Sequence, residues 1–149
     1  MLKAKLNLPD FQFNIVVQNG KELIFDVIRK KYLVLTEEEW VRQNIIRLLT
    51  DVYKYPKQHL GVEKQIKVFD TIKRPDIVVY NSQLVPKMIV ECKQPRIQID
   101  KQTLNQAINY YLELNVNFFL LTNGITHFCC KIVERSCEFI DKIPYFSEL

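Results

Sequence analysis

The chain has 149 residues, 48% of them hydrophobic, and a formal charge of +4, with an isoelectric point near 8.8. That length and apolar content suffice for a single domain, residues 1–149, whose core needs no disulfide staples, and the mild basic excess suits a polyanionic partner without naming one. No apolar run approaches the roughly 20 residues of a membrane span, and Met1-Leu2-Lys3-Ala4-Lys5-Leu6 lacks the apolar centre of a signal peptide, so a cytoplasmic protein without membrane association is expected.

In chain order, Phe11 to Val17 and Leu23 to Ile28 flank Asn19-Gly20, a pair suited to the positive φ angles of a two-residue hairpin turn; residues 1–30 read as an N-terminal β-hairpin extension. Thr36 is placed to cap a helix running to about Val52, with Glu39 completing a capping box and Glu37 to Glu39 at the positive end of the helix dipole. Val41, Ile45, Leu48, Leu49 and Val52 form its apolar stripe; Glu38 falls at the edge of that stripe and is expected to aim toward the core, and Glu39 is expected to turn away. Tyr55-Pro56 and Gly61 bracket a loop, after which Val62 to Phe69 alternates as a strand carrying Glu63. Ile77 to Tyr80 and Met88 to Val90 read as a strand pair joined by Asn81-Ser82-Gln83, and Pro95 ends the second. Asp100 caps a helix to about Leu114 with Leu104, Ile108, Tyr111 and Leu112 on its apolar face. Asn117 to Thr122 then reads as a parallel strand, and Asn123-Gly124 turns into Thr126 to Val133 and a last extended piece, Cys137 to Ile143. The order predicts an α/β fold, a mixed sheet flanked by helices with one right-handed crossover.

Within this frame Asp76, Glu91 and Lys93 sit in short apolar strands that ought to exclude charge. Residues two apart share a face of a strand, so Glu91 and Lys93 project together, Cys92 points the other way, and an Asp at the start of the neighbouring strand can join them. Two adjacent carboxylates repel and call for a cation; Mg²⁺, with Mn²⁺ able to substitute, takes oxygen ligands from one or two carboxylates plus water, and the Cys92 backbone carbonyl can add another. Lys93 on that face can orient or deprotonate a water or stabilise charge on a phosphate. The plainer alternative is a Glu91 to Lys93 ion pair at a sheet edge. Cys92, Cys129, Cys130 and Cys137 have no Cys-x-x-Cys or zinc-finger spacing and read as buried free thiols, and His59 and His127 have no partner spacing. Lys64, Lys67, Lys73, Arg74, Lys87, Lys93, Arg96 and Lys101 surround these words in sequence and, if they converge, would neutralise phosphates.

Arg74-Pro75-Asp76 followed by Glu91-Cys92-Lys93 resembles the PD-(D/E)xK nuclease core, and the surrounding text resembles the N-terminal nuclease region of type I restriction enzyme R subunits. Thr36-Glu37-Glu38-Glu39-Trp40-Val41-Arg42-Gln43 is similar to that family's opening helix, Gln106-Ala107-Ile108-Asn109-Tyr110 to its Gln-x-x-x-Tyr motif, and Phe118 to Gly124 to the strand that follows. The likeness runs from about Asp26 to near the C-terminus and implies a restriction-endonuclease-like fold and Mg²⁺-dependent cleavage of DNA. It further implies Asp76 and Glu91 as metal ligands, Lys93 as a catalytic group, Glu38 in the metal shell, and Gln106 and Tyr110 as DNA contacts; from the basic cluster, Lys73 and Arg74 are expected to join them. The sequence carries no Walker-type loop, so translocation of DNA by this chain is not expected. Two other readings remain open: an idle nuclease core that docks on a restriction or repair complex, and a homodimeric rather than monomeric active form.

Overall fold

The computed structural model describes residues 3–149; Met1 and Leu2, the start of the stretch tested for a signal peptide, lie outside the described residues. Asn19 and Gly20 both take positive φ, 49° and 73°, and join β1 (Ile15–Gln18) to β2 (Lys21–Asp26) in the expected antiparallel hairpin. A third strand, β3 (Lys31–Val34), pairs with β2, so the N-terminal unit is a three-stranded meander. Asp26 makes the extra turn: its Oδ1 accepts the N–H groups of Ile28 and Arg29 at 2.7 and 2.8 Å, and Lys30 follows at φ 54°.

Helix α1 (Glu37–Arg47) begins as expected, Thr36 Oγ accepting the Glu39 N–H at 3.1 Å. The capping box is only half formed, because the Glu39 carboxylate turns inward to arginines and the Thr36 N–H bonds to the Val34 carbonyl instead. From Leu48 to Val52 the helix widens to π geometry; the wider turn rotates Val52 off the apolar stripe, leaving it 51% exposed.

The strand expected over Val62 to Phe69 breaks at Glu63, whose φ of 49° ends β4 (Leu60–Val62). The remainder folds on itself as a small hairpin, β5 (Ile66–Val68) with β6 (Thr71–Lys73). Next come β7 (Ile77–Tyr80), β8 (Pro86–Cys92), α2 (Lys101–Tyr111), β9 (Phe118–Thr122), β10 (His127–Val133) and β11 (Ser136–Phe139). Asn81 closes the β7–β8 turn by accepting the Gln83 and Val85 N–H groups at 3.0 Å, and Asp100 caps α2 through the Thr103 N–H at 2.8 Å. Six strands form one sheet in the order β11-β10-β9-β8-β7-β4, with β8 and β9 parallel and every other neighbour antiparallel. The α2 connection supplies that parallel crossover.

The central strands are apolar on both faces because each face is covered. Ile77, Val79, Met88, Val90 and Cys92 pack with Val41, Ile45, Ile46 and Leu49 of the first helix. Val78, Ile89, Phe119 and Leu121 pack with Leu104, Ile108 and Tyr111 of the second. Among the described residues no helix is long and apolar enough to cross a membrane.

Candidate active site

Ile77 pairs with Val90 across the β7–β8 ladder, so Asp76 and Glu91 meet one step further on, at the end of the two strands. The Asp76 backbone N–H donates to Glu91 Oε1 at 3.3 Å, and Asp76 Oδ2 accepts the Cys92 N–H at 2.7 Å. Tyr111 of α2 donates its hydroxyl to Glu91 Oε1 at 2.6 Å. Burial, with the Asp76 charge beside it, pushes Glu91 up to about 7. Burial first, and then this hydrogen bond and the Glu91 charge, raise Tyr111 above the usual phenol range.

Lys93 continues the β8 line, its N–H bonded to the Thr122 carbonyl at 2.8 Å. It shares with Glu91 an open cleft of about 340 Å³ whose other wall is α2: Thr103, Gln106, Ala107, Tyr110 and Tyr111. Gln106 and Tyr110, four residues apart on one helical face, thus reach the same cleft as Glu91 and Lys93. Lys73 lies at its edge, Nζ 3.5 Å from the Tyr110 ring centroid. Arg74 is mostly exposed and folds back on Glu63, donating to its backbone carbonyl at 3.0 Å. Cys92 points into the first-helix side of the core, where burial and then the Asp76 charge hold its thiol well above the ordinary range, while its backbone N–H bonds to Asp76.

A buried charge network closes the other side. Arg42 donates from Nη2 to Asp76 Oδ1 at 2.5 Å and to Glu38 Oε1 at 3.0 Å, and from Nη1 to Glu39. Burial would lower its pKa, but Asp76 and Glu39 outweigh that and keep the guanidinium charged. Glu38, half exposed at the rim, is raised by burial and then by the Asp76 charge. Glu39 is the buried one of the pair: it accepts from Arg29 at 2.6 Å and Gln43 at 2.9 Å, so the expectation that it turns away while Glu38 aims toward the core is corrected. Glu63 bridges Arg29, Arg42 and Arg74. Asp26 anchors the far end through Arg29 at 2.6 Å and Gln43 at 2.8 Å; burial opposes its charge, yet these bonds hold its pKa below the usual carboxylate value. Among the described residues no buried side-chain nitrogen or oxygen lacks a partner.

Arg29 carries no signal in the sequence, and the network roles of Glu39, Arg42, Gln43 and Tyr111 are not legible from caps, motifs and apolar stripes. Glu39, Arg42 and Gln43 are spaced i, i+3, i+4 beside the apolar stripe of α1, a polar ridge that signals an internal network when a buried acid lies opposite. Tyr111 was assigned to packing, which is correct for its ring but omits its hydroxyl.

Residues 37–144 match the family described as Type I restriction enzyme R protein N terminus. The chain belongs to this family. Glu38, Asp76, Glu91, Lys93, Gln106 and Tyr110 all fall inside the matched span, and the β1–β3 meander lies before it. Among solved structures, a DUF820 protein from Anabaena variabilis ATCC 29413, described as a candidate nuclease, is similar with a TM-score of 0.53 at 17% identity, covering 95% of this chain and 88% of that one. A search of curated proteins finds no match. The mixed sheet, its two flanking helices and the antiparallel N-terminal strands constitute a restriction-endonuclease-like α/β fold.

Among the described residues no group of three or more His, Cys, Asp or Glu side chains is arranged to hold a metal ion. Mg²⁺ does not require one: it is held by one or two carboxylates and keeps several waters. Asp76 and Glu91 supply two such donors, and the Asp76 charge, which adds to burial in raising Glu91, is repulsion that a cation would offset. The donor set therefore fits the ion. Arg42 already occupies Asp76 Oδ1 and would share that carboxylate with it.

Proposed function

We propose that this domain is a metal-dependent endodeoxyribonuclease of PD-(D/E)xK type that hydrolyses DNA phosphodiester bonds. Its family supports a nuclease-type function. The observation that carries the reading is the meeting of Asp76 and Glu91 across two strands, with Lys93 opening into the same cleft as Glu91. Asp76, Glu91 and the Cys92 carbonyl would hold Mg²⁺ or Mn²⁺, which when bound supplies positive charge at the phosphate and lowers the pKa of a water. Lys93 orients the attacking water or offsets charge developing on the phosphate. Arg42 fixes the Asp76 carboxylate and, with Glu38 at the rim, shapes the metal-side wall. Gln106, Tyr110 and Lys73 line or flank the cleft on the side where the DNA backbone would lie, with Arg74 beyond them. Partner proteins would come from a restriction or repair system.

One observation favours a second reading. Arg42 already neutralises part of Asp76, which leaves less charge to draw a metal and suits a core that only docks. Supercoiled plasmid incubated with the protein in Mg²⁺, Mn²⁺ or EDTA separates the two: nicking with either ion and none in EDTA supports the nuclease, and binding without nicking in every condition supports the docking module.

A further inference from the structure

The β5–β6 hairpin has two unlike faces. Ile66 and Val68 face inward and pack against the α2-side core. Lys67 and its cross-strand partner Ile72 face outward, Ile72 58% exposed. At the tip, Phe69 holds φ 53° in a two-residue connection and leaves 88% of its surface in water. Left-handed turn positions suit Gly, Asn or Asp; a Phe there strains the backbone and buries no ring. The positive φ closes the hairpin, but a Phe supplying it contributes no packing, and breaches of local rules of this kind concentrate at functional positions.

The surroundings indicate what the ring meets. Residues 64–74 contain Lys64, Lys67, Lys73 and Arg74 against one acid, Asp70. Lys73 ends the hairpin on the Tyr110 ring, at the mouth of the cleft that holds Glu91 and Lys93. With about 3.3 Å of rise per strand residue, Phe69 stands at most about 13 Å from that edge. An exposed aromatic face beside several cations matches a nucleic-acid strand, whose bases stack on the ring while its phosphates meet the lysines. Bases inside a duplex already have both faces covered. A free ring therefore selects unpaired ones.

We propose that Phe69 is a base-stacking platform and that the β5–β6 hairpin directs the site to DNA carrying unpaired nucleotides next to the scissile bond. This rests on the nuclease reading for the identity of the polymer, and it adds the substrate class.

The test is binding in EDTA, which needs no cleavage: fluorescence anisotropy with a DNA strand of about 12 nucleotides and with a blunt duplex of the same length. Phe69→Ala should bind the strand roughly tenfold more weakly than wild type, Phe69→Trp should bind it as well or better, and duplex affinity should change less than about twofold. Lys67→Ala should weaken both probes and flatten the salt dependence by about one ion. The exposed ring makes Phe69→Ala as heat-stable as wild type, and Phe69→Trp guards against a folding artefact. Strand binding unchanged in Phe69→Ala, equal losses on both probes, or a Phe69-dependent affinity confined to anionic vesicles overturns the proposal. If wild type nicks plasmid while Phe69→Ala binds strands normally, the platform falls and the nuclease reading stands; if wild type binds neither probe, both fall.

Discussion

Glu91→Gln gives a stability difference that depends on pH and on the metal site. In the folded protein Glu91 titrates at about 7 against an ordinary value of 4.5, raised first by burial and then by Asp76. A group whose folded pKa is raised contributes stability that is fully present below the unfolded value and is lost as pH climbs through the folded one. At 1.36 kcal/mol per pKa unit, the wild type loses on the order of 3 kcal/mol between about pH 4.5 and pH 8 from this group alone. Gln keeps the shape and has no charge to ionise, and titrating groups remote from Glu91 cancel in the difference. In EDTA near pH 8, Glu91→Gln should therefore melt higher by roughly 6–10 °C, a gap that shrinks to about 2 °C at pH 5. Adding Mg²⁺ near pH 8 should narrow this gap by several degrees, because only the wild-type carboxylate pair gains from the ion. Thermal melts of both proteins across this pH range, with EDTA and with Mg²⁺, decide it. Parallel pH profiles in EDTA would refute the upward shift of Glu91, and equal shifts in Mg²⁺ would remove Glu91 from the metal site.

Mg²⁺ or Mn²⁺ should raise the melting temperature of wild type by several degrees and that of Asp76→Ala much less; equal shifts measured by scanning fluorimetry count against Asp76 as a ligand. Arg42→Met should lower unfolding stability by about 3–5 kcal/mol in urea titrations, since it leaves Asp76 and Glu39 without their shared cation; an unchanged midpoint contradicts the network. Gly124→Ala should destabilise by more than Gly20→Ala. Both positions have positive φ, 82° and 73°, but a Cβ at Gly124 lies 2.7 Å from Leu6 Cδ2 and one at Gly20 meets nothing within 4 Å; equal losses in urea refute that contrast.

The strand alternation at Glu91-Cys92-Lys93 gave the correct faces, because a period of two leaves no choice once β8 is buried on both sides. Asn19-Gly20, Thr36 and Asp100 marked true turns and caps for reasons local to each residue. What failed depended on distant atoms. Glu39 appeared as half of a capping box until Arg29, thirteen residues before Arg42, brought its guanidinium to it. The strand expected through Glu63 was broken by a left-handed turn on a residue type that does not advertise one, and its arginine partners lie on other elements. Val52 left its stripe because helical periodicity assumes 3.6 residues per turn, and a π turn does not keep it.

The central claim is that Asp76, Glu91 and Lys93 act as one hydrolytic site, and Lys93→Met tests it most directly. The substitution keeps the stem and removes the charge, while most DNA affinity comes from distributed phosphate contacts. DNA binding by titration and nicking of supercoiled plasmid in Mg²⁺ should be measured on wild type and variant together. The account predicts near-equal binding, nicking by wild type, and a loss of at least about a hundredfold in the variant. Undiminished nicking by Lys93→Met, or wild-type binding without any nicking, would contradict it.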